Sequence, residues 1–178
     1  MKKIDLTNIE DLKEFKALTP GGYICQILDV KDFPEKEYLA IKFDIAEGEF
    51  KGYYAERERT LGFSPGQFIR SYKEKALPFF KNFITSVEKS NKNYKFNSDE
   101  ITLIGKYFGV VLGKEEYVSN EGELKERLTV VQVHSAAKIK NNEYTVPDTK
   151  KYKSSSASQV QVNVPKNFEL IEDGDVPF

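Results

Sequence analysis

Residues 37–45, EYLAIKFDI, put Leu39, Ile41, Phe43 and Ile45 on one side of an extended chain and Tyr38, Ala40, Lys42 and Asp44 on the other. A period of two fits a half-buried strand and no helix, so this segment commits the chain to a sheet with one face on a core. Its neighbours agree. YICQILDV (23–30) is short, apolar and β-branched, and a turn near Pro34 joins the two. After turn signals at Glu47-Gly48 and Gly52, YYAERERTL (53–61) alternates again and predicts a third strand with Tyr53, Arg57 and Arg59 on one face. ITLIGKYFGVVLG (101–113) and ERLTVVQVHS (126–135), separated by Asn120-Glu121-Gly122, predict two more.

Between the third and fourth strands lies the one long helical pattern. Ser64 suits an N-cap, Pro65 the first helical position, and Gln67 completes a capping box. Ile69, Tyr72, Ala76, Phe79, Phe83 and Val87 then recur at helical spacing, and Pro78 either kinks this helix or starts a second one. Three strands, a helical segment and two strands is the layout of an OB-fold, a five-stranded Greek-key barrel, expected over residues 20–140. A short N-terminal helix is expected over 1–19, from the Thr7/Glu10 capping box and Leu12, Phe15 and Leu18. Residues 141–168, Lys- and Ser-rich without sustained period, read as a flexible linker, and 169–178 as an acidic, disordered tail. Val160, Val162 and Val164 alternate and offer at most an edge strand.

Composition narrows the function more by exclusion. With 39% hydrophobic and 31% charged residues, no apolar run near the ~18 residues of a membrane span, and no apolar stretch after Met1-Lys2-Lys3, a cytosolic protein off the membrane is expected. One Cys and one His leave no zinc site of that type. A nucleophile pair requires Cys25 and His134 to meet, and each reads as strand packing. No phosphate-binding Gly-x-x-x-x-Gly-Lys run occurs, and the acid pairs Glu56/Glu58 and Glu115/Glu116 read as solvated surface. The expectation is no catalysis, no cofactor and no metal.

Binding is the alternative. A single-strand groove needs aromatic faces for bases and cations along the phosphates. In an OB-fold that groove uses strands two and three and the loops joining strands one–two and four–five. The candidates are Tyr38 and Lys42 on the second strand, Tyr53, Arg57 and Arg59 on the third, and Phe33 with Lys31 and Lys36 by the first loop. Tyr117 and Arg127, with Lys114 and Lys125, flank the last loop, and Arg70, Lys73 and Lys75 lie on the solvent side of the expected helix. Lys150, Lys151 and Lys153 add a further cationic run. The net charge of −1 hides an asymmetry: Glu169, Glu172, Asp173 and Asp175 load the tail, and residues 138–168 hold six Lys against Glu143 and Asp148. Any polyanion site is therefore a local stripe on a near-neutral body.

The terminal DGDVPF resembles the acidic C-terminal tip of bacterial single-stranded DNA-binding proteins, departing from it at Gly174. There the tip docks replication, recombination and repair enzymes. Here Asp173 and Asp175 would steer toward a basic surface while Val176, Pro177 and Phe178 present an apolar end, with the terminal carboxylate meeting a cation. The body segments PGGYICQILDVKDFPEKEYLAIKFDIAEGEFKGYY, SYKEKALPFFKNFI, GKYFGVVLGKEEY and RLTVVQVHS resemble the small phage and prophage single-stranded DNA-binding proteins of Gram-positive bacteria. The resemblance implies an OB-fold, single-stranded DNA as ligand and partner enzymes at the tip. A protein–protein adaptor that carries such a tip without binding DNA is the competing reading. Oligomeric state stays open, since an exposed strand edge is compatible with a homo-oligomer.

Overall fold

The strand β1 (Gly21–Phe33) changes partners along its length. From Gly21 to Gln26 it pairs antiparallel with β4 (Tyr107–Val118), and from Cys25 onward it pairs antiparallel with β2 (Tyr38–Ile45). Only Cys25 and Gln26 therefore have register partners on both sides. A bulge between Ile27 and Asp29 follows the handover and sharpens the local twist. The strand β3 (Gln67–Ser71) lies outside β2, and β5 (Leu124–His134) outside β4. The result is an open five-stranded antiparallel sheet in the order β3-β2-β1-β4-β5. The computed structural model of the chain describes residues 16–152, so most of the expected N-terminal helix, much of the expected linker and the whole acidic tip lie outside the described residues.

The sheet curls. Three interstrand spacings separate β3 from β4, about 14 Å in a flat sheet, yet the rings of Phe68 on β3 and Phe108 on β4 have centroids 5.9 Å apart. Phe43 of β2 touches both, at 5.6 and 5.9 Å. Phe83 joins them from α2 (Leu77–Ser90), 5.9 Å from each of Phe68 and Phe108. The helix packs against β3, β4 and β5, and Asn82 donates its side-chain amide to the Val133 carbonyl at 3.0 Å. It thus covers one end of a core built from Cys25, Ile27, Ile41, Phe43, Val87, Val110 and Leu112. A second small cluster, Ile24, Val111 and Ile139, seats α3 (Ala136–Lys140) on the other face of the sheet. That contact requires Gly109, where a Cβ would stand 2.4 Å from Ile139.

Two segments depart from the sequence reading. Residues 53–61, expected as the third strand, form the helix α1 (Tyr53–Leu61). Gly52 before it and Gly62 after it both adopt left-handed backbone (φ 76° and 75°), which stops either neighbour from extending the alternation. The helix also borrows its N-terminal cap from β2. The Asp44 carboxylate accepts from the amides of Tyr54 (2.9 Å) and Ala55 (3.0 Å). The expected helix start at Ser64 is instead a loop leading into β3, and α2 begins only at Leu77, with Pro78 in its first turn. Of the two roles open to Pro78, starting a helix is the one it takes. Ile69 and Tyr72 are therefore not helix residues, whereas Phe83 and Val87 do form the buried face of α2. The fourth expected strand also starts later: Glu100–Leu103 is a 3-10 turn, and β4 begins at Tyr107.

Candidate nucleic-acid interface

Registers across β1, β2 and β3 define three rows on the face away from the core: Phe33–Tyr38–Ser71, Lys31–Ala40–Ile69 and Asp29–Lys42–Gln67. The rings of Phe33 and Tyr38 are cross-strand neighbours with centroids 4.9 Å apart and planes tilted by 31°. The Lys31 ammonium stands 5.0 Å from the Phe33 centroid, within cation–π range. Phe33 is half-buried and Lys31 exposed, while Tyr38 is buried. One row away, Lys42 donates to Glu58 of α1 at 2.8 Å. Lys36 is exposed on the tight turn between the strands, where Glu37 takes a left-handed conformation (φ 57°). Phe33, Lys31, Tyr38 and Lys42 thus share one face of β1 and β2, with Tyr38 buried and Lys42 paired, and the expected third strand adds nothing to it.

Tyr53, Arg57 and Arg59 ride on α1. Tyr53 packs edge-on against Phe50 (6.0 Å) and Tyr54 (5.5 Å), Arg57 is half-buried, and Arg59 is exposed in the last turn. Their position follows from Asp44 and Gly52, not from sheet alternation.

Arg70 sits on β3, on the same face as Phe68 and away from Tyr38. Its guanidinium carbon lies 4.9 Å from the Phe68 centroid, and Nη1 donates to the Ile69 carbonyl at 3.3 Å. Its Nε is buried without a hydrogen-bond partner, and desolvation lowers the guanidinium pKa to about 10. A solvent-facing helical arginine, as the sequence predicts, would show none of this. Beside it the Tyr72 hydroxyl donates to Asp32 at 2.8 Å. Desolvation and that hydrogen bond push the Tyr72 pKa up to about 12. Lys73 and Lys75 are exposed in and before the 3-10 turn Glu74–Ala76.

The remaining candidates occupy the β4–β5 hairpin. The Arg127 guanidinium lies 5.1 Å from the Tyr117 centroid, but it also pairs with Glu115 at 3.1 Å. Lys114 pairs with Glu126 (2.8 Å) and Lys125 with Glu123 (3.0 Å). The cations named on this hairpin therefore already have carboxylate partners. Residues just before Tyr152 return here as well: the Lys150 amide donates to Lys114 and its carbonyl accepts from Glu116, both at 2.9 Å. Hydrogen bonds from Lys151 and the Tyr152 amide hold the Glu116 carboxyl below the usual carboxylate range. Because Gly21 pairs with Leu112, the β4–β5 tip extends past the start of β1, whereas Phe33 and Tyr38 lie at its far end. The two aromatic–basic clusters are thus separate sites along the sheet.

Cys25 and His134 do not meet. Ile24, Gly109 and His134 share one register row, while Cys25 is fully buried on the opposite face and its thiol is pushed up by burial. Among the described residues, no group of three or more His, Cys, Asp or Glu is placed to hold a metal, and no helix is long and apolar enough to cross a membrane. Sequence reasoning missed Asp44, whose role appears only once β2 and α1 are brought together in space.

The chain is, in class, a small mainly-β protein with a curled antiparallel sheet, an end-capping helix and a compact aromatic–basic face. No protein-family model matches it, and no curated protein matches it in a sequence search.

Proposed function

We propose that this chain is a phage or prophage single-stranded DNA-binding protein acting in the bacterial cytosol. It binds DNA without sequence preference on an OB-type Greek-key barrel and recruits replication, recombination or repair enzymes through Asp173, Asp175, Val176, Pro177 and Phe178. The observation that carries DNA binding is the half-buried Phe33 ring, backed by the buried Tyr38 ring and with the exposed Lys31 ammonium beside it, on the sheet face opposite the main aromatic core. Aromatic faces stack any base, so such a face binds without reading sequence. The barrel assignment draws support from the strand order, from a first strand shared between two halves of the sheet, and from a helix between β3 and β4 that packs on both edge strands.

A fluorescently labelled oligo-dT, titrated across a salt series with a duplex control, tests this. Binding that prefers the single strand and weakens with salt supports it, and absence of binding by the folded protein overturns it. A form ending at Glu172 is expected to bind DNA as well as the full chain while losing partner enzymes. The adaptor reading is favoured by one observation: Lys42 and Arg127 are already paired with Glu58 and Glu115. Charge reversal at Lys31 separates the two, since it weakens DNA binding at this face while an adaptor's partner binding is indifferent to it.

A further inference from the structure

The face carrying Phe33 and Tyr38 continues across β1. Gln26 pairs with Asp44 of β2 on one side and with Tyr107, the first residue of β4, on the other. Tyr107 is 40% exposed although its backbone is fully engaged. The Asn91 side chain completes that engagement, accepting from the Tyr107 amide at 3.0 Å and donating to its carbonyl at 2.8 Å. An amide just past the end of α2 thus stands in for a strand partner and fixes the Tyr107 backbone. The preceding turn is stitched to the β1 bulge: Gly105 donates to the Ile27 carbonyl (2.8 Å) and Ile27 to the Lys106 carbonyl (2.9 Å). Next to it the Lys106 ammonium lies 4.7 Å from the Tyr94 centroid.

The charge around these rings is one-sided. Lys89, Lys92 and Lys106 make no ion pair among the described residues, while two of the acids in this stretch, Glu88 and Asp99, are occupied. Glu88 accepts from Lys95 (2.9 Å) and the Phe96 amide (3.1 Å), and Asp99 from the Ile101 amide (3.1 Å). An exposed ring, a half-buried second ring under an ammonium and two further lysines without ion pairs suit a strand of phosphates with free bases.

We infer that Tyr107, Lys106 and Tyr94, backed by Lys92, form a second single-strand contact, so that one DNA strand runs from the Phe33–Tyr38 row across β1 to the start of β4. This rests on the proposed DNA binding. The seven residues from Gln26 to Phe33 set the two contacts about 23 Å apart at 3.3 Å per residue, so a strand of about seven nucleotides at the 3.4 Å rise of a DNA strand reaches both and one of about four falls short.

The test compares oligo-dT of about 4 and about 16 nucleotides on the full chain. Tyr107→Ala with Lys106→Glu is expected to weaken the longer oligonucleotide about tenfold and the shorter one much less, with Tyr107→Phe behaving as the parent. Circular dichroism checks that each variant is folded. Photo-crosslinking with iododeoxyuridine in the longer strand is expected to label Tyr107 directly. If the parent protein binds neither length, DNA binding and this second contact fall together. If it binds, but the double variant is unaffected at both lengths and crosslinks map only to residues on β1 and β2, the second contact alone is overturned.

Discussion

The Asp44 carboxylate on β2 holds the Tyr54 amide at 2.9 Å, with the amides of Ala55 at 3.0 Å and Ile45 at 2.7 Å on the same group. Two of these three are free amides in the first turn of α1, so a strand residue supplies the cap that Gly52 has no side chain to give. Asp44→Ala leaves those donors unsatisfied under the helix and is expected to cost about 1–3 kcal/mol. A lower denaturation midpoint, with loss of helical signal from α1 beforehand, is the outcome to look for. An unchanged midpoint would mean that the helix holds itself.

Phe33 and Lys31 give the sharpest test of the DNA face. Phe33→Ala is expected to weaken oligo-dT binding about tenfold, the value of one stacked base. Lys31→Ala should lower the slope of log affinity against log salt by about 1. Lys31 is exposed, so Lys31→Ala should leave thermal stability near that of the parent. Phe33→Ala uncovers the buried Tyr38 ring and should lower it modestly, so its binding is read at a temperature where the variant is folded. Equal affinity in both variants would remove this face from consideration.

Arg70 is expected to act oppositely. Its guanidinium is desolvated, stacked on Phe68 and paired with no carboxylate among the described residues. Replacing a buried charge with an apolar side chain of similar length is often neutral or favourable, so Arg70→Met should leave stability unchanged or raise it by about 1 kcal/mol. Because the side chain lies on the Phe68 face, single-strand affinity should not move. A loss of affinity would show that the core side of β3 opens to DNA.

His134 is the only histidine in the chain, so its titration is readable by itself. Burial, reinforced by Lys138, lowers its pKa from the usual 6.5, which means that the fold accommodates the neutral ring. The stability that this ring contributes is present above about pH 6.5 and is lost as pH falls below that value. Denaturant midpoints should therefore decline between pH 7.5 and 5.5 in the parent and decline less in His134→Gln. Glu88, whose carboxyl is lowered by Lys95 and the Phe96 amide, is lost only at more acidic pH, so the two groups separate cleanly.

The sheet was legible where the two faces of a strand differ in chemistry: Leu39, Ile41 and Phe43 enter the main core, while Tyr38, Ala40, Lys42 and Asp44 lie on the other face, which is itself largely buried. The same rule failed at residues 53–61, where only Tyr54 is buried and the alternation of Tyr53, Arg57 and Arg59 reflects a mostly polar outer helix. What makes that segment helical is a carboxylate ten residues back and two left-handed glycines, neither visible as periodicity. The helix start was misread for a related reason. Phe68 faces the core from a strand and Phe83 from a helix, so one apolar spacing runs through two kinds of backbone. The neighbourhood of Phe33, Tyr38 and Lys31 was legible because a hairpin places its own neighbours. Arg70 was not, because its face depended on the element assigned to it.

The divided pairing of β1 has a kinetic side. Its second half meets β2 within a short turn, and β3 soon follows, so that half of the sheet is assembled from contacts close in sequence. Its first half must wait for β4: the hydrogen bond from Gln26 to Gly105 spans 79 positions. Closing so long a segment costs entropy before any contact rewards it. The nascent chain therefore holds the Gly21–Ile24 stretch of that strand unpaired until the ribosome has delivered β4, leaving Tyr23 and Ile24 as the residues most open to wrong partners during synthesis.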